Sequence, residues 1–307
     1  MKPIKDFNKS AVQHIKKMAP RSHKGDNGKV LVIGGSELFH SASLWAAELV
    51  AHFVDHVFYY SPNSINRDIL TQNKKRFLNG IVVLGEELEE YVKEADVVLI
   101  GPGLRRQNLR VSHDYSRYIN ATTSLLDIND EGLLSYFLVN TLVAKYPLKK
   151  WVVDAGALQE LELTNITDSC ILTPHQQEFY RLFPRKENSN FTIEEMLSLV
   201  KDYHATWLLK RQGTDYVYYR NHPDVVRISG GNSGLTKGGT GDLLAALVAS
   251  LYVNNDSVTS ASIASYVIKK TAELLYETKG PYFTTTELLV EIPGVLWSES
   301  QNPSVKL

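Results

Sequence analysis

The chain has one cysteine in 307 residues, no surplus of either charge, and no run of about 18 apolar residues of the kind that spans a membrane. A single thiol, Cys170, cannot build a disulfide framework, which fits a reducing compartment. Its place within the apolar run SCILTP reads as a buried structural thiol rather than a reactive one. The opening MKPIKDFNKSAVQHIKKMAP lacks the apolar centre of a signal peptide. Basic residues number 33 and acidic residues 34, a net charge of −1, so no global field draws the protein to nucleic acid or to a membrane. A cytoplasmic location is expected. Also missing are a Cys/His cluster for zinc, a P-loop and a serine-hydrolase elbow. No internal repeat, low-complexity tract or Pro/Gly-rich linker divides the chain. One domain over residues 1–307 is expected.

What is present is a substantial apolar fraction, 43%, beside 22% charged residues, the balance of a globular protein with a large core. Short β-branched runs recur at 29–35, 56–60, 80–85, 96–103, 123–129, 150–156 and 170–175, with helical patterns at 41–53, 131–145 and 192–204 among them. Continuous apolar strands alternating with amphipathic helices predict an α/β fold, a central mostly parallel sheet with helices on both faces. The run at 206–229 reads instead as three short strands with tight connections, a small antiparallel edge. Only helices are predicted beyond it. The stripe Tyr216, Tyr218 and Tyr219 suits sheet surface or an oligomer contact, and a homo-oligomer is expected.

Ligands of open α/β sheets sit beyond the carboxyl ends of the strands. Those ends carry the unusual residues here: Gly34-Gly35, Gly101-Pro102-Gly103, Asp154 and Thr173-Pro174-His175. The densest feature lies further on, in GNSGLTKGGTGDLLAALVASL (231–251), with five glycines in eleven positions before an apolar helix. Bare backbone N–H groups of Gly238, Gly239, Thr240 and Gly241 at a helix start make an anion hole. Asp242 would repel a bound phosphate unless its task is to take a proton from an attacking hydroxyl; the plainer reading is a helix cap. His175 and Glu178, three apart at a helix start, share a face, as an acid–base or metal pair or as helix-start capping. Lys210 closes a strand before a turn at Gln212-Gly213, where it would meet a nucleotide phosphate or point to water; the spacing leaves both open.

In this order the pieces resemble the ribokinase-like superfamily and, within it, the NAD(P)H-hydrate dehydratase family. The motifs are SHKGDNGKVLVIGGS (22–36), VVLIGPGL (97–104), VVDAGAL (152–158), LTPHQQEF (172–179), LLKRQGT (208–214) and the glycine loop, over about residues 20–295. The resemblance implies a ribokinase-like fold and a nucleotide-dependent dehydratase that repairs hydrated NADH or NADPH. ADP or ATP would phosphorylate the ring hydroxyl, Mg²⁺ would bridge the nucleotide phosphates, and phosphate would then leave. It makes Asp242 the base, places Lys210, Arg211, Gln212, Gly213 and Thr214 along the AMP portion, and sets Gly238–Gly241 at the anion hole. Ala42, Gly103, Arg105 and His175 would face the hydrated cofactor together with Asp242. The chain departs from the family pattern at Ser41, Arg105 and Arg211, where glycine is usual, and at Gln176-Gln177, where Pro-Gly is usual. Arg105 is expected to contact a phosphate. Family members are often fused to an epimerase, for which residues before 20 leave no room, so a separate epimerase is expected. Two rivals share Asp242: a small-molecule kinase of the same fold acting on a hydroxymethyl group, and a catalytically silent nucleotide binder.

Overall fold

A computed structural model of the protein describes residues 2–19, 21–72, 79–106, 130–184 and 190–301. The strand expected at 123–129 lies outside them. Ten strands form one sheet: β1 (Ile4–Asp6), β2 (Lys29–Ile33), β3 (His56–Tyr60), β4 (Gly80–Val82), β5 (Val97–Ile100), β6 (Lys150–Val153), β7 (Cys170–Leu172), β8 (Thr206–Leu209), β9 (Thr214–Tyr219) and β10 (Val225–Ser229). Their order across the sheet is β1-β10-β9-β8-β7-β6-β5-β2-β3-β4. All pairs are parallel except β8–β9 and β9–β10, so the expected antiparallel part is there. The outermost strand on that side is not part of the antiparallel run. It is β1, which joins β10 in parallel from the chain's own beginning. Three exposed residues carry no alternation by which such a strand could be read.

The described helices are α1 (His40–Val50), α2 (Ser64–Gln72), α3 (Leu88–Glu94), α4 (Glu131–Lys145), α5 (Ala155–Glu160), α6 (Gln176–Leu182), α7 (Ile193–Val200), α8 (Thr240–Tyr252), α9 (Ser257–Lys279) and α10 (Thr285–Gln301). Strand pleating divides the apolar runs between two cores. Val30, Val32, Val97 and Leu99 face one core with α1, α8, α9 and α10. Leu31, Ile33, Val98 and Ile100 face the other with α3, α4, α6 and α7. Strands buried on both faces explain why they read as unbroken apolar runs. From Leu243 to Tyr252, α8 is buried all round because it packs between the sheet and the helices α1 and α9. Of the tyrosines of β9, Tyr218 is buried, and Tyr216 and Tyr219 are half-buried and pack against opposite cores. Cys170 is a buried free thiol, and burial pushes it above the usual thiol range. Among the described residues no helix is long and apolar enough to cross a membrane.

Register positions the site. Ile33 pairs with Ile100, Ile100 with Val153, and Val153 with Leu172. The next residues in each strand, Gly34, Gly101, Asp154 and Thr173, therefore stand side by side along one edge. The bridge between His175 and Lys210 extends that row to β8.

Candidate active site

Above this row two cavities adjoin. The first, about 1160 Å³, is bounded by α1 and the turn after β5 and includes Ala42, Trp45, Gly103 and Arg105. The second, about 760 Å³, includes His175, Lys210, Gln212, Gly213 and Thr240. Ala155, Gly238, Gly239 and Asp242 line both. The sequence-predicted residues thus fall into two groups, with Asp242 between them. Ala42, Gly103 and Arg105 border the first cavity; His175 borders the second, beside the lysine.

The shared wall is built from two special backbones. At Gly239, the N-cap of α8, φ is +95°, a conformation that favours glycine. A Cβ there would also stand 2.5 Å from the Trp45 ring and 2.8 Å from Thr285. The chain's own packing therefore demands this glycine. Gly238 and Gly241 differ: a Cβ on the first would meet no heavy atom within 4 Å, and one on the second only Lys210 Nζ at 3.6 Å. Open space over exposed backbone at a helix start is what an anion needs. Thr240 serves the loop itself, its hydroxyl donating to Leu235 O at 2.8 Å and Lys237 O at 2.9 Å. On the other side of the wall, Ala155 has φ +48° and is the one described non-glycine residue with positive φ. Such strain persists where surroundings over-determine the backbone, commonly at functional sites. The surroundings here are tight, since a Cβ on Gly101 would stand 1.8 Å from the Asp154 carbonyl oxygen.

Four ionisable side chains meet at the wall. Lys210 Nζ is 2.9 Å from Asp154 Oδ1 and 3.8 Å from Glu178 Oε2. The Thr173 hydroxyl donates to the same Asp154 oxygen at 2.6 Å. Burial lowers the proton affinity of Lys210, but Asp154 and Glu178 more than offset it and hold the ammonium above the ordinary lysine value. The lysine therefore points inward, not to water. Asp242 is half-buried at the floor between the cavities. Burial, and next the Asp154 carboxylate, push it up to about 7, while Lys210 pulls the other way. Glu178 is also pushed up to about 7, by burial first, against the pull of Lys210. A carboxylate so placed takes up and releases a proton near neutrality, the property of a general base.

His175 spends its ring on structure. Its Nδ1 accepts from the backbone N–H groups of Gln177 at 3.0 Å and Glu178 at 3.1 Å, and the backbone N–H of His175 donates to Glu178 Oε2 at 2.9 Å. This reciprocal cap starts α6. Burial, then Lys210, hold the imidazole below its ordinary value. Arg211 turns its guanidinium to Phe191 O at 2.8 Å. Gln212 and Gly213 form the exposed turn bordering the second cavity, and Thr214 starts β9 behind it. Under that cavity lies a pair that sequence reading missed: Lys269 Nζ is 3.3 Å from Asp215 Oδ2, with both side chains less than a tenth exposed. Asp215 also accepts from Ser265 at 2.7 Å, so the pair is satisfied. Asp154 stands among the strand-end residues of the sequence without a role there; its partner Lys210 is 56 residues away, and only the sheet order brings them together.

The profile of the NAD(P)H-hydrate dehydratase family matches residues 30–294. The bifunctional NAD(P)H-hydrate repair enzyme of Methanocaldococcus jannaschii is 30% identical over 291 residues, 92% of this chain and 50% of that one. The ATP-dependent (S)-NAD(P)H-hydrate dehydratase of Drosophila melanogaster is 25% identical over 94% of this chain and 92% of its own. An ADP/ATP-dependent NAD(P)H-hydrate dehydratase from Bacillus subtilis, co-crystallised with ATP and Mg²⁺, superposes with a TM-score of 0.72 at 17% identity, over 98% of this chain and 99% of that one. At that identity the likeness is one of fold, and the fold is ribokinase-like. The chain spans about half the length of the bifunctional archaeal relatives it matches. A profile match over residues 30–294, most of its length, makes this chain a member of the NAD(P)H-hydrate dehydratase family.

Proposed function

We propose that the protein is a nucleotide-dependent dehydratase acting on hydrated NADH or NADPH. The observation that supports it most is Asp242, half-buried and bordering both cavities. An adenine nucleotide in the second cavity would present its terminal phosphoryl group to the open backbone of Gly238 and Gly241. The hydrated ring in the first cavity would then bring its hydroxyl against the same carboxylate. Asp242 takes the hydroxyl proton, the ring oxygen bonds to phosphorus, and the nucleotide leaves one phosphate shorter. Phosphate then departs from the ring carbon as a neighbouring carbon loses a proton, which restores the ring double bond. The base needs to act only as the oxygen attacks, so positioning carries most of the catalysis.

Among the described residues no three His, Cys, Asp or Glu side chains are grouped to hold a metal ion. Lys210 already engages Asp154 and Glu178. That donor set fits Mg²⁺ carried in on the nucleotide's phosphates, with water completing its shell. When bound, the ion supplies charge neutralisation at the transferring phosphoryl group. ADP and ATP are both proposed donors.

The test is to incubate the protein with hydrated NADH or NADPH plus ADP or ATP and follow recovery of nicotinamide absorbance. Recovery is expected, and Asp242→Asn should lower its rate by about 10² or more, the usual loss for a general base, with nucleotide affinity kept. A stable phosphoester without absorbance recovery would favour the small-molecule kinase reading. An unchanged rate in Asp242→Asn would remove the assigned base.

A further inference from the structure

Three arginines gather on the wall of the first cavity. Beyond Arg105 its wall includes Arg106 and Arg181. Arg105 reaches Glu131 Oε2 only at 3.9 Å, with both side chains part-exposed, an ion pair of little weight. Arg106 Nη1 donates to the neutral amide of Gln159 at 3.2 Å. Among the described residues the Arg181 guanidinium has no hydrogen-bond or ion-pair partner. Partial burial lowers its proton affinity and the Arg106 charge lowers it next, while Glu160 and Glu178 pull the other way, so the two guanidiniums feel one another.

Four carboxylates line the same cavity, and two of them, Asp130 and Glu131, are engaged by the chain itself. Asp130 accepts from the Leu133 N–H at 2.9 Å and caps α4. Glu131 Oε1 accepts from the Glu37 N–H at 2.9 Å and from Asn63 at 2.8 Å. Like charges gathered in a cavity oppose each other until an anion arrives, and planar guanidiniums match phosphate oxygens in pairs.

We propose that Arg106 and Arg181 form an anion subsite of the first cavity that grips a phosphate group of the dinucleotide acceptor. This rests on the dehydratase reading above for the identity of that acceptor. Two groups have the required chemistry: the central diphosphate, present in both hydrated cofactors, and the 2′-phosphate, present only in hydrated NADPH.

Arg181→Gln and Arg106→Gln alter side chains that are not core, so both variants should fold, and thermal melting checks this. Binding of ADP-ribose and of 2′-phospho-ADP-ribose is measured by calorimetry with a non-hydrolysable ATP analogue in the second cavity. KM is measured for both hydrates. Each variant should lose on the order of 10-fold in affinity, as when a charge-assisted bond is removed. An equal loss for both fragments assigns the diphosphate, and a loss confined to the 2′-phosphorylated fragment assigns that phosphate; either supports the subsite. Wild-type protein that binds neither fragment, or variants with unchanged affinity and KM, would overturn it. Wild-type protein that turns over neither hydrate, while the variants lose fragment binding, would sink the dehydratase reading and leave the subsite standing.

Discussion

A base that works near neutrality must have its charge disfavoured without being forbidden. Asp242 meets this condition through opposing neighbours: burial and Asp154 push its proton affinity up, and Lys210 restrains it. In the proposed reaction Asp242 acts when ionised, so kcat/KM should rise with pH through about 7, the value to which the group is pushed. Replacing Lys210 by Met removes the restraint. The acid limb of the Lys210→Met profile should then move to higher pH, and an unmoved limb would show that the lysine does not set the base. Asp242 was legible in the sequence because the glycine loop, the carboxylate and the helix are consecutive. Lys210 was legible only as a choice between phosphate and water, because its partners lie on other elements, Asp154 after β6 and Glu178 in α6. Nor could residue types alone reveal that His175 is consumed in a cap.

At the scale of elements, the loop before α8 owes its shape to the first turn of that helix. Thr240 fastens it with two hydrogen bonds to loop carbonyls. Thr240→Val keeps the side-chain volume and removes both bonds, costing on the order of 1–3 kcal/mol. Weaker nucleotide affinity is the expected result by calorimetry, with the sheet's thermal transition retained; undiminished affinity would mean that the loop is held by other means. Central elements were readable because strands covered on both faces leave unbroken apolar runs between helical patterns. The periphery was not. Strand β1 has three exposed residues, and α10 carries Pro293 within it, a residue that ordinarily argues against a helix. The short α5 follows Asp154 directly and reads as a turn until the backbone of Ala155 is seen.

For the molecule as a whole, the second cavity draws on the segments that follow β6, β7 and β8, on the start of α8 and on α9, scattered from Asp154 to Lys269. A ligand that binds only when they are assembled must stabilise the entire fold. At 100 times its dissociation constant a nucleotide should add about 2.7 kcal/mol, visible as a higher melting temperature in wild type and in Asp242→Asn alike. No shift with ADP, ATP or a non-hydrolysable analogue would contradict nucleotide binding in that cavity. The sheet's order was not available from motifs, since strand adjacency is a property of tertiary packing; only its mostly parallel character was. The thin partition at Ala155, Gly238, Gly239 and Asp242 has a last consequence. One tethered molecule, an adenosine polyphosphate joined to a reduced-nicotinamide mimic, would span both chambers at once, and its grip would exceed that of either half through effective concentration.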